Sequence, residues 1–296
     1  MTSSDDKKQE QQDPIHPWGD HPPATVQLTF DPRRVVRNIF VFCVVANVSF
    51  FLLDFFINYL RLADTGAIRR LFNTAKENGL AAWFGVTQTV MVALTLWLTF
   101  VTVKQQGGSK WRRIGWLVLA LFITYMAVDD GASLHERLGS AFDASNRDAP
   151  DESWGPAMLE IFPSYTWQIL FVPLFGALGL FTLVFLWREL DELRAKILVA
   201  VALACFVLAV GLDFVEGLDP AHRWNLYTLL SDRLELDGLS TKGYRTPYQV
   251  LRHFSKSIEE SLEMLGMTIL WIVFLRHWIR STGDLRVRFV RRESSG

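Results

Sequence analysis

Long apolar stretches are the feature that most limits what this chain can fold into. Six of them are close to the length of about 20 residues that an α-helix needs to cross a membrane. Half of the residues are hydrophobic and a fifth are charged, which is typical of a multi-span membrane protein with polar loops. The predicted spans are residues 36–60, 82–103, 114–134, 166–187, 197–217 and 259–279.

Basic residues are concentrated before the first predicted span, in alternate short links between spans, and after the last span. Because cytoplasmic segments of membrane proteins are rich in Lys and Arg, this pattern places these segments in the cytoplasm. The first outer loop, which carries Arg61, Arg69, Arg70 and Lys76, departs from the pattern. The sequence therefore predicts an all-α integral membrane protein of the cell (cytoplasmic or inner) membrane. It is predicted to be a six-transmembrane helical bundle with both termini cytoplasmic.

The remainder of the chain divides into loops and tails. Residues 1–32 are polar and rich in Asp, Gln and Pro, which predicts a disordered cytoplasmic tail rather than a signal peptide. Residues 33–281 form the predicted membrane domain, with outer loops 135–165 and 218–258, and residues 282–296 form a basic cytoplasmic tail. The net charge of −1 gives no electrostatic reason for nucleic-acid binding. The expected partners of the predicted membrane domain are membrane lipids and an amphipathic substrate.

Four carboxylates occur at a matching depth in four of the predicted spans. Asp54, Asp130 and Asp213 each follow a basic residue by seventeen positions, and Glu263 precedes Arg280 by the same interval. Seventeen residues of helix rise about 25 Å, slightly less than a hydrocarbon core of about 30 Å. If the basic residues mark the inner face, the acids form a ring just inside the outer face. Ionisable groups at that depth are costly, which makes them candidates for a functional site.

More polar residues accompany this ring near the outer face. Asp213 and Glu216 are three residues apart and share one helix face, as do Glu260 and Glu263. Carboxylates and imidazoles from facing helices are the usual ligands of iron, manganese or zinc in a helical bundle. The predicted divalent-metal ligands are Asp54, Asp130, His135, Asp213, His253, Glu260 and Glu263, with Glu216 as the general base.

Some of these residues have a competing explanation. In an unbroken helix His135 would point away from Asp129, so a bend at Gly131 would be needed to bring the two together. Glu259 and Glu260 have an alternative explanation. The sixth span is predicted to begin there, and the positive N-terminal end of a helix favours acidic side chains. For the ring of acids as a whole, the alternative is a structural hydrogen-bond network.

Three functions fit this pattern. The first is a membrane metalloenzyme in which zinc, iron or manganese activates a water molecule against an amphipathic or lipid substrate. The second is a proton- or cation-coupled transporter or channel, which needs polar residues across the full depth of the membrane. The third is a non-catalytic scaffold or sensor subunit. The inner halves of spans one, three and five are almost entirely apolar, which favours a one-sided site over a conduit.

Overall fold

The computed structural model describes residues 31–146, 153–233, 244 and 246–282. This part of the chain is helical without β-strands, and the two predicted tails lie almost entirely outside it. A π-helical turn, Phe55–Tyr59, continues the first helix. The α-helices of the described part are α1 (Pro32–Asp54), α2 (Gly66–Leu71), α3 (Leu80–Gln105), α4 (Lys110–Ala132), α5 (Leu134–Asn146), α6 (Trp154–Ile161), α7 (Thr166–Glu189), α8 (Leu193–Glu216), α9 (Leu226–Arg233) and α10 (Pro247–Thr282).

Five of these helices are long and apolar enough to cross a membrane: α1 with its π-helical extension, α3, α4, α7 and α8. Each coincides with a predicted span to within four residues at either end. Their outward surfaces carry large apolar side chains, such as Phe42 at 65% exposure and Leu180 at 63%. Such surfaces suit contact with lipid, because apolar side chains are more favourable in hydrocarbon than in water. These five helices indicate a multi-pass membrane protein.

The longest helix is α10, with 36 residues, and it begins about three turns earlier than the sixth span was predicted to begin. It extends along the whole bundle: Lys256 near its start contacts Asp213 near the end of α8, and Arg280 near its end contacts Glu192 just before α8. Because α10 packs against α1, α3 and α8, it can carry polar side chains without presenting them to lipid. By composition it is not among the five apolar helices.

The inner half of the bundle, away from the ring of acids, is a packed apolar core. Trp116 and Phe185 are fully buried, and their rings meet nearly edge to face with centroids 5.4 Å apart. A Cβ at Gly115 would lie 2.0 Å from the ring of Phe185, so glycine is needed for α4 and α7 to approach this closely. This packing closes the inner end of the space between the helices.

A buried carboxylate joins α4 and α7 at this inner end. Glu189 accepts hydrogen bonds from Nε and Nη2 of Arg112, at 2.8 Å and 2.5 Å, and from Nε1 of Trp116 at 3.2 Å. A charge-assisted bidentate pair of this kind is stronger than a neutral hydrogen bond. The inner ends of the two helices are thus held together by polar contacts as well as by packing.

Candidate functional site

A cavity of about 600 Å³ lies between α3, α4, α7, α8 and α10. It reaches the end of the bundle at which α4 and α8 finish, which is called the outer end here after the predicted orientation. Pockets of this volume are typical of small-molecule sites. The polar lining at the outer end includes Glu77, Asp130, Glu136, Asp213, Glu260 and Glu263. Most of the remaining lining is apolar and includes Leu119, Phe122, Val172, Phe175, Leu203 and Leu270.

Five of the seven predicted ligands line this cavity, namely Asp130, His135, Asp213, Glu260 and Glu263, and three of them, Asp130, Glu260 and Glu263, are called the cavity acids below. Asp130 is exposed and the two glutamates are half-buried, because the cavity itself is accessible to water-sized molecules. Oγ1 of Thr89 donates a hydrogen bond of 3.2 Å to Oδ2 of Asp130. The described part of the chain offers neither glutamate a hydrogen bond or an ion pair. The structure therefore brings these three carboxylates to the cavity beside one lysine, Lys256, whose ammonium group is already paired with Glu259 and Asp213.

A second group, Asp213, Glu216 and Glu259, is more compact and is called the convergent carboxylates. One oxygen of each lies within 4.8 Å of the others, so the group could hold a metal ion. Asp213 and Glu259 are only 7% and 4% exposed. Asp213 was predicted as a ligand and Glu216 as a base, whereas Glu259 was not among the predicted site residues.

Cationic and polar neighbours hold the convergent carboxylates in place. Nζ of Lys256 lies 2.7 Å from Oε1 of Glu259 and 3.5 Å from Oδ1 of Asp213. Nε2 of Gln168 donates to the other oxygen of Asp213 at 2.8 Å. Nη2 of Arg252 donates to Oε1 of Glu216 at 3.2 Å. One oxygen on each glutamate is thus occupied, and the lysine partly neutralises two of the acids.

Two oxygens of this group are left without a partner. Oε2 of Glu216 and Oε2 of Glu259 are buried and accept no hydrogen bond from the described residues. Leaving a buried acceptor unsatisfied costs about 1–3 kcal/mol, and more when the group is charged. A bound cation, or a proton shared between the two carboxylates, would remove that cost.

His135 reaches Asp129 through a break in the helix rather than through a bend at Gly131. Ser133 adopts the left-handed conformation (φ 49°, ψ 45°), which ends α4 and allows α5 to begin immediately. Oδ1 of Asp129 then accepts the backbone N–H of His135 at 2.8 Å, and Nδ1 of the imidazole lies 2.7 Å from Oδ2. Burial lowers the pKa of His135, but the hydrogen bond and charge of Asp129 outweigh it and raise the pKa above the ordinary 6.5.

The same break positions a pair of acids at the mouth of the cavity. Oγ of Ser133 donates a 2.7 Å hydrogen bond to Oε2 of Glu77, which lowers the pKa of that carboxyl group. Burial raises the pKa of Glu136, and the adjacent charge of Glu77 raises it further. The two carboxyl groups interact, so the pair favours carrying one proton rather than two negative charges.

The remaining two predicted ligands, Asp54 and His253, lie together outside the cavity. Nε2 of His253 is 2.9 Å from Oδ2 of Asp54, in a direction that does not suit a hydrogen bond. Oγ of Ser257 and Nδ2 of Asn58 donate to the two oxygens of Asp54 at 2.7 Å and 2.8 Å. The group joins α1 and its π-helical turn to the first half of α10.

Several members of the site were not predicted from the sequence, chiefly because the last helix was predicted to begin too late. Glu259 lies about three turns inside α10, so the positive end of the helix does not explain it. A start signal was present: Thr246 precedes Pro247, and the Thr246 hydroxyl accepts the N–H of Gln249 at 3.3 Å. Threonine followed three residues later by glutamine, with proline at the first helical position, is typical of a helix start.

The fold and the site together define a multi-pass helical membrane protein with an internal acidic cavity. The chain belongs to the family described as "Domain of unknown function (DUF8692)", which matches residues 38–278. The match includes every site residue described above. Searches among curated proteins and solved structures gave no match.

Proposed function

We propose that this protein binds a divalent cation through Asp213, Glu216 and Glu259, and acts as a metal-dependent enzyme on an amphipathic molecule held in the adjacent cavity. The observation that carries this proposal is the convergence of three carboxylates within 4.8 Å, two of them with a buried oxygen that lacks a partner. Asp213 and Glu259 also line the cavity, so a cation bound there would face the cavity contents.

The position of these acids in their helices strengthens the case for a cation. Asp130 lies in the last turn of α4, and Asp213 and Glu216 lie in the last turn of α8. The C-terminal end of a helix carries a partial negative charge, so acids there are in an unfavourable position. Lys256 and Arg252 neutralise only part of this charge. A divalent cation would offset the remainder without requiring the carboxyl groups to take up protons.

An all-oxygen ligand set selects among the predicted metals. Carboxylate and water ligands suit manganese and other hard cations, whereas zinc and iron sites more often include imidazole. Of the two predicted imidazole ligands, His253 lies beside Asp54 and His135 is paired through Nδ1 with Asp129. Manganese is therefore the favoured metal of the three. Bound there, it would polarise a water molecule for reaction.

Glu216 was predicted as the general base and Glu260 as a metal ligand, but their contacts favour the opposite assignment. Oε1 of Glu216 is held by Arg252 and lies 3.5 Å from the Tyr165 hydroxyl, which suits a fixed ligand better than a base. Glu260 faces the cavity, and no described residue pairs with it. We assign Glu216 to the metal and Glu260 to general-base catalysis, which requires a carboxylate within reach of the reacting water.

The alternative of a conduit has less support from the inner half of the bundle. Its polar groups are used in contacts between helices: Nε1 of Trp271 donates to Thr95 at 3.1 Å and Nε1 of Trp278 donates to Thr102 at 3.2 Å. The cavity ends against apolar side chains such as Phe274, which is 1% exposed. Ion pathways need polar groups along their full length.

We further propose that α10 is the sixth membrane span and that the termini lie on one side. Its charged residues lie at the cavity, beside the outer end of α8 or at the inner end, and residues such as Leu270 and Val273 are only 3% exposed. A helix enclosed by other spans needs less hydrophobicity than one that faces lipid.

Elemental analysis of the detergent-purified protein, after dialysis against manganese, iron or zinc, tests the metal site. We expect about one metal ion per chain in the wild type and a loss of at least tenfold affinity in Glu259→Gln, a difference of about 1.4 kcal/mol. Asp54→Asn is the matched control, because it also removes a buried carboxylate contacting α10 but lies outside the cavity. Equal metal content in all three proteins would refute the proposal.

A further inference from the structure

The cavity extends well beyond the convergent carboxylates, and its lining is amphipathic, with acids at one end and apolar side chains along the rest. The cavity acids line the outer end, while Leu119 and Leu203 belong to the long apolar section below them. Glu259 also lines the outer end, although it is only 4% exposed, and its Oε2 lacks a partner. A ligand that matched this lining would have a positively charged head and an apolar tail.

The apolar section opens sideways between α7 and α8. Leu180 on α7 and Val207 on α8 line the cavity, yet they are 63% and 71% exposed. A Cβ added to Gly176 or Gly179 would meet no atom within 4 Å, so the two helices leave space between their middle sections. At this height both helices are apolar, and the opening therefore faces the hydrocarbon region of the membrane.

The part of α7 at this opening is rich in residues that bend a helix or leave space beside it. Pro173, Gly176 and Gly179 follow one another at intervals of three residues, close to one turn each. Proline lacks an N–H and so leaves a carbonyl one turn earlier without its usual hydrogen bond, which favours bending. Glycine adds backbone freedom and removes the side chains that would otherwise fill the gap.

We propose that the cavity binds a single-chain amphiphile with an amine headgroup, which enters from the membrane between α7 and α8. The proposal rests on the proposed function, since it names the substrate class for the same cavity. Asp130 and Glu263 contact the ammonium group, Glu260 remains available as the general base, and the alkyl chain occupies the apolar section. A volume of about 600 Å³ matches pockets for drug-sized ligands, which corresponds to one chain rather than a two-chain lipid.

Charge complementarity selects the headgroup. A primary alkylamine, with a pKa near that of Lys at about 10.4, is protonated at neutral pH. An alcohol of the same chain length fills the same space but brings no charge, so the cavity acids have only Lys256, already paired with Asp213 and Glu259, as a nearby cation. A fatty acid adds a further negative charge to the same place, which is unfavourable. Preference for the amine over the alcohol therefore reports on the cavity acids, and the binding of either one reports on the apolar section.

Equilibrium binding of radiolabelled hexadecylamine and hexadecanol to the full-length protein in phosphatidylcholine nanodiscs tests the proposal. We expect the amine to bind at least tenfold more tightly than the alcohol. The double variant Asp130→Asn/Glu263→Gln is expected to remove that preference. Gly179→Trp is expected to weaken binding of both compounds at least tenfold. Gly211→Trp is its matched control, because Gly211 also has no neighbour within 4 Å but does not line the cavity.

Metal content of the same samples separates the two proposals. Equal affinity for amine and alcohol, or saturable binding of neither, in a protein that still holds its metal would overturn the substrate class and leave the metal site standing. Amine binding in a protein without metal would support the amphiphile site and refute the metal site. Amine binding unchanged by both Gly179→Trp and the double variant would place the ligand elsewhere and overturn the inference.

Discussion

Nδ1 of His135 lies 2.7 Å from Oδ2 of Asp129 across the junction between α4 and α5, although the two residues belong to different helices. The imidazole also packs against the indole of Trp167 at the start of α7, with ring centroids 4.5 Å apart. Asp129 is 1% exposed, so its charge depends on these contacts. One ion pair thus holds three helices together at the outer end of the cavity.

This pair should make stability depend on pH. The pKa of His135 is raised above 6.5 in the folded protein, so its contribution is fully present below the unfolded pKa and is lost as pH rises through the folded pKa. We expect the melting temperature of the wild type to fall between about pH 6 and about pH 9 by more than that of His135→Gln. Parallel melting curves for the two proteins across this range would show that the pair contributes nothing.

Replacing Lys256 tests whether it substitutes for an external cation. Lys256→Met keeps most of the side-chain volume but leaves Asp213 and Glu259 without their common positive charge. We expect a loss of about 1–3 kcal/mol in the metal-free protein, since removing one partner leaves buried charge uncompensated. Saturating manganese should restore more stability to the variant than it adds to the wild type. Thermal unfolding with and without manganese measures both effects, and a variant as stable as the wild type without metal would contradict them.

Close packing of α5 on α7 predicts a strong effect at one glycine. A Cβ at Gly139 would lie 2.8 Å from the backbone nitrogen of Trp167, which cannot move without shifting α7. We expect Gly139→Ala to destabilise the protein by about 1–3 kcal/mol. Gly176→Ala is the control, because its Cβ meets no atom and alanine favours helix by up to about 1 kcal/mol. The two variants should shift the melting temperature in opposite directions.

Membrane topology is open to a direct labelling test. Lys110→Cys and Arg280→Cys should react with an impermeant maleimide from one side of sealed vesicles, and Asp219→Cys from the other. The wild type measures background, since its two cysteines, Cys43 and Cys205, are buried. Labelling of Arg280→Cys from the same side as Asp219→Cys would mean that α10 does not cross the membrane.

Hydropathy was sufficient to locate the five apolar helices, because lipid-facing surfaces demand a continuous apolar sequence. Their helical structure and approximate bounds are confirmed. The case of α10 was different: its first three turns carry His253 and Lys256, which contact Asp54 and Asp213 from distant parts of the chain. A hydropathy pattern does not distinguish such a buried polar turn from a loop, and only the cap at Thr246 marked the true beginning.

Within the site, short-range spacing was informative and long-range pairing was not. The three-residue interval correctly placed Asp213 and Glu216 on one helix face. Matching depth, however, suggested a single ring that includes Asp54. Depth along a helix leaves the direction of the side chain open, and Asp54 points towards Ser257 of α10, outside the cavity. The helix break at Ser133 was also not predictable from the sequence, because serine rarely adopts a left-handed conformation.

Successive residues of α10 face different neighbourhoods. Lys256 points to the convergent carboxylates, whereas the next residue, Ser257, bonds to Asp54 at the end of α1. Both belong to one uninterrupted helix of 36 residues. A small rotation or slide of that helix would therefore alter both groups of contacts at once. The cavity and the end of the first helix thus share one structural element, and any shift of α10 at the cavity would also change the contacts of Asp54 beside the π-helical turn.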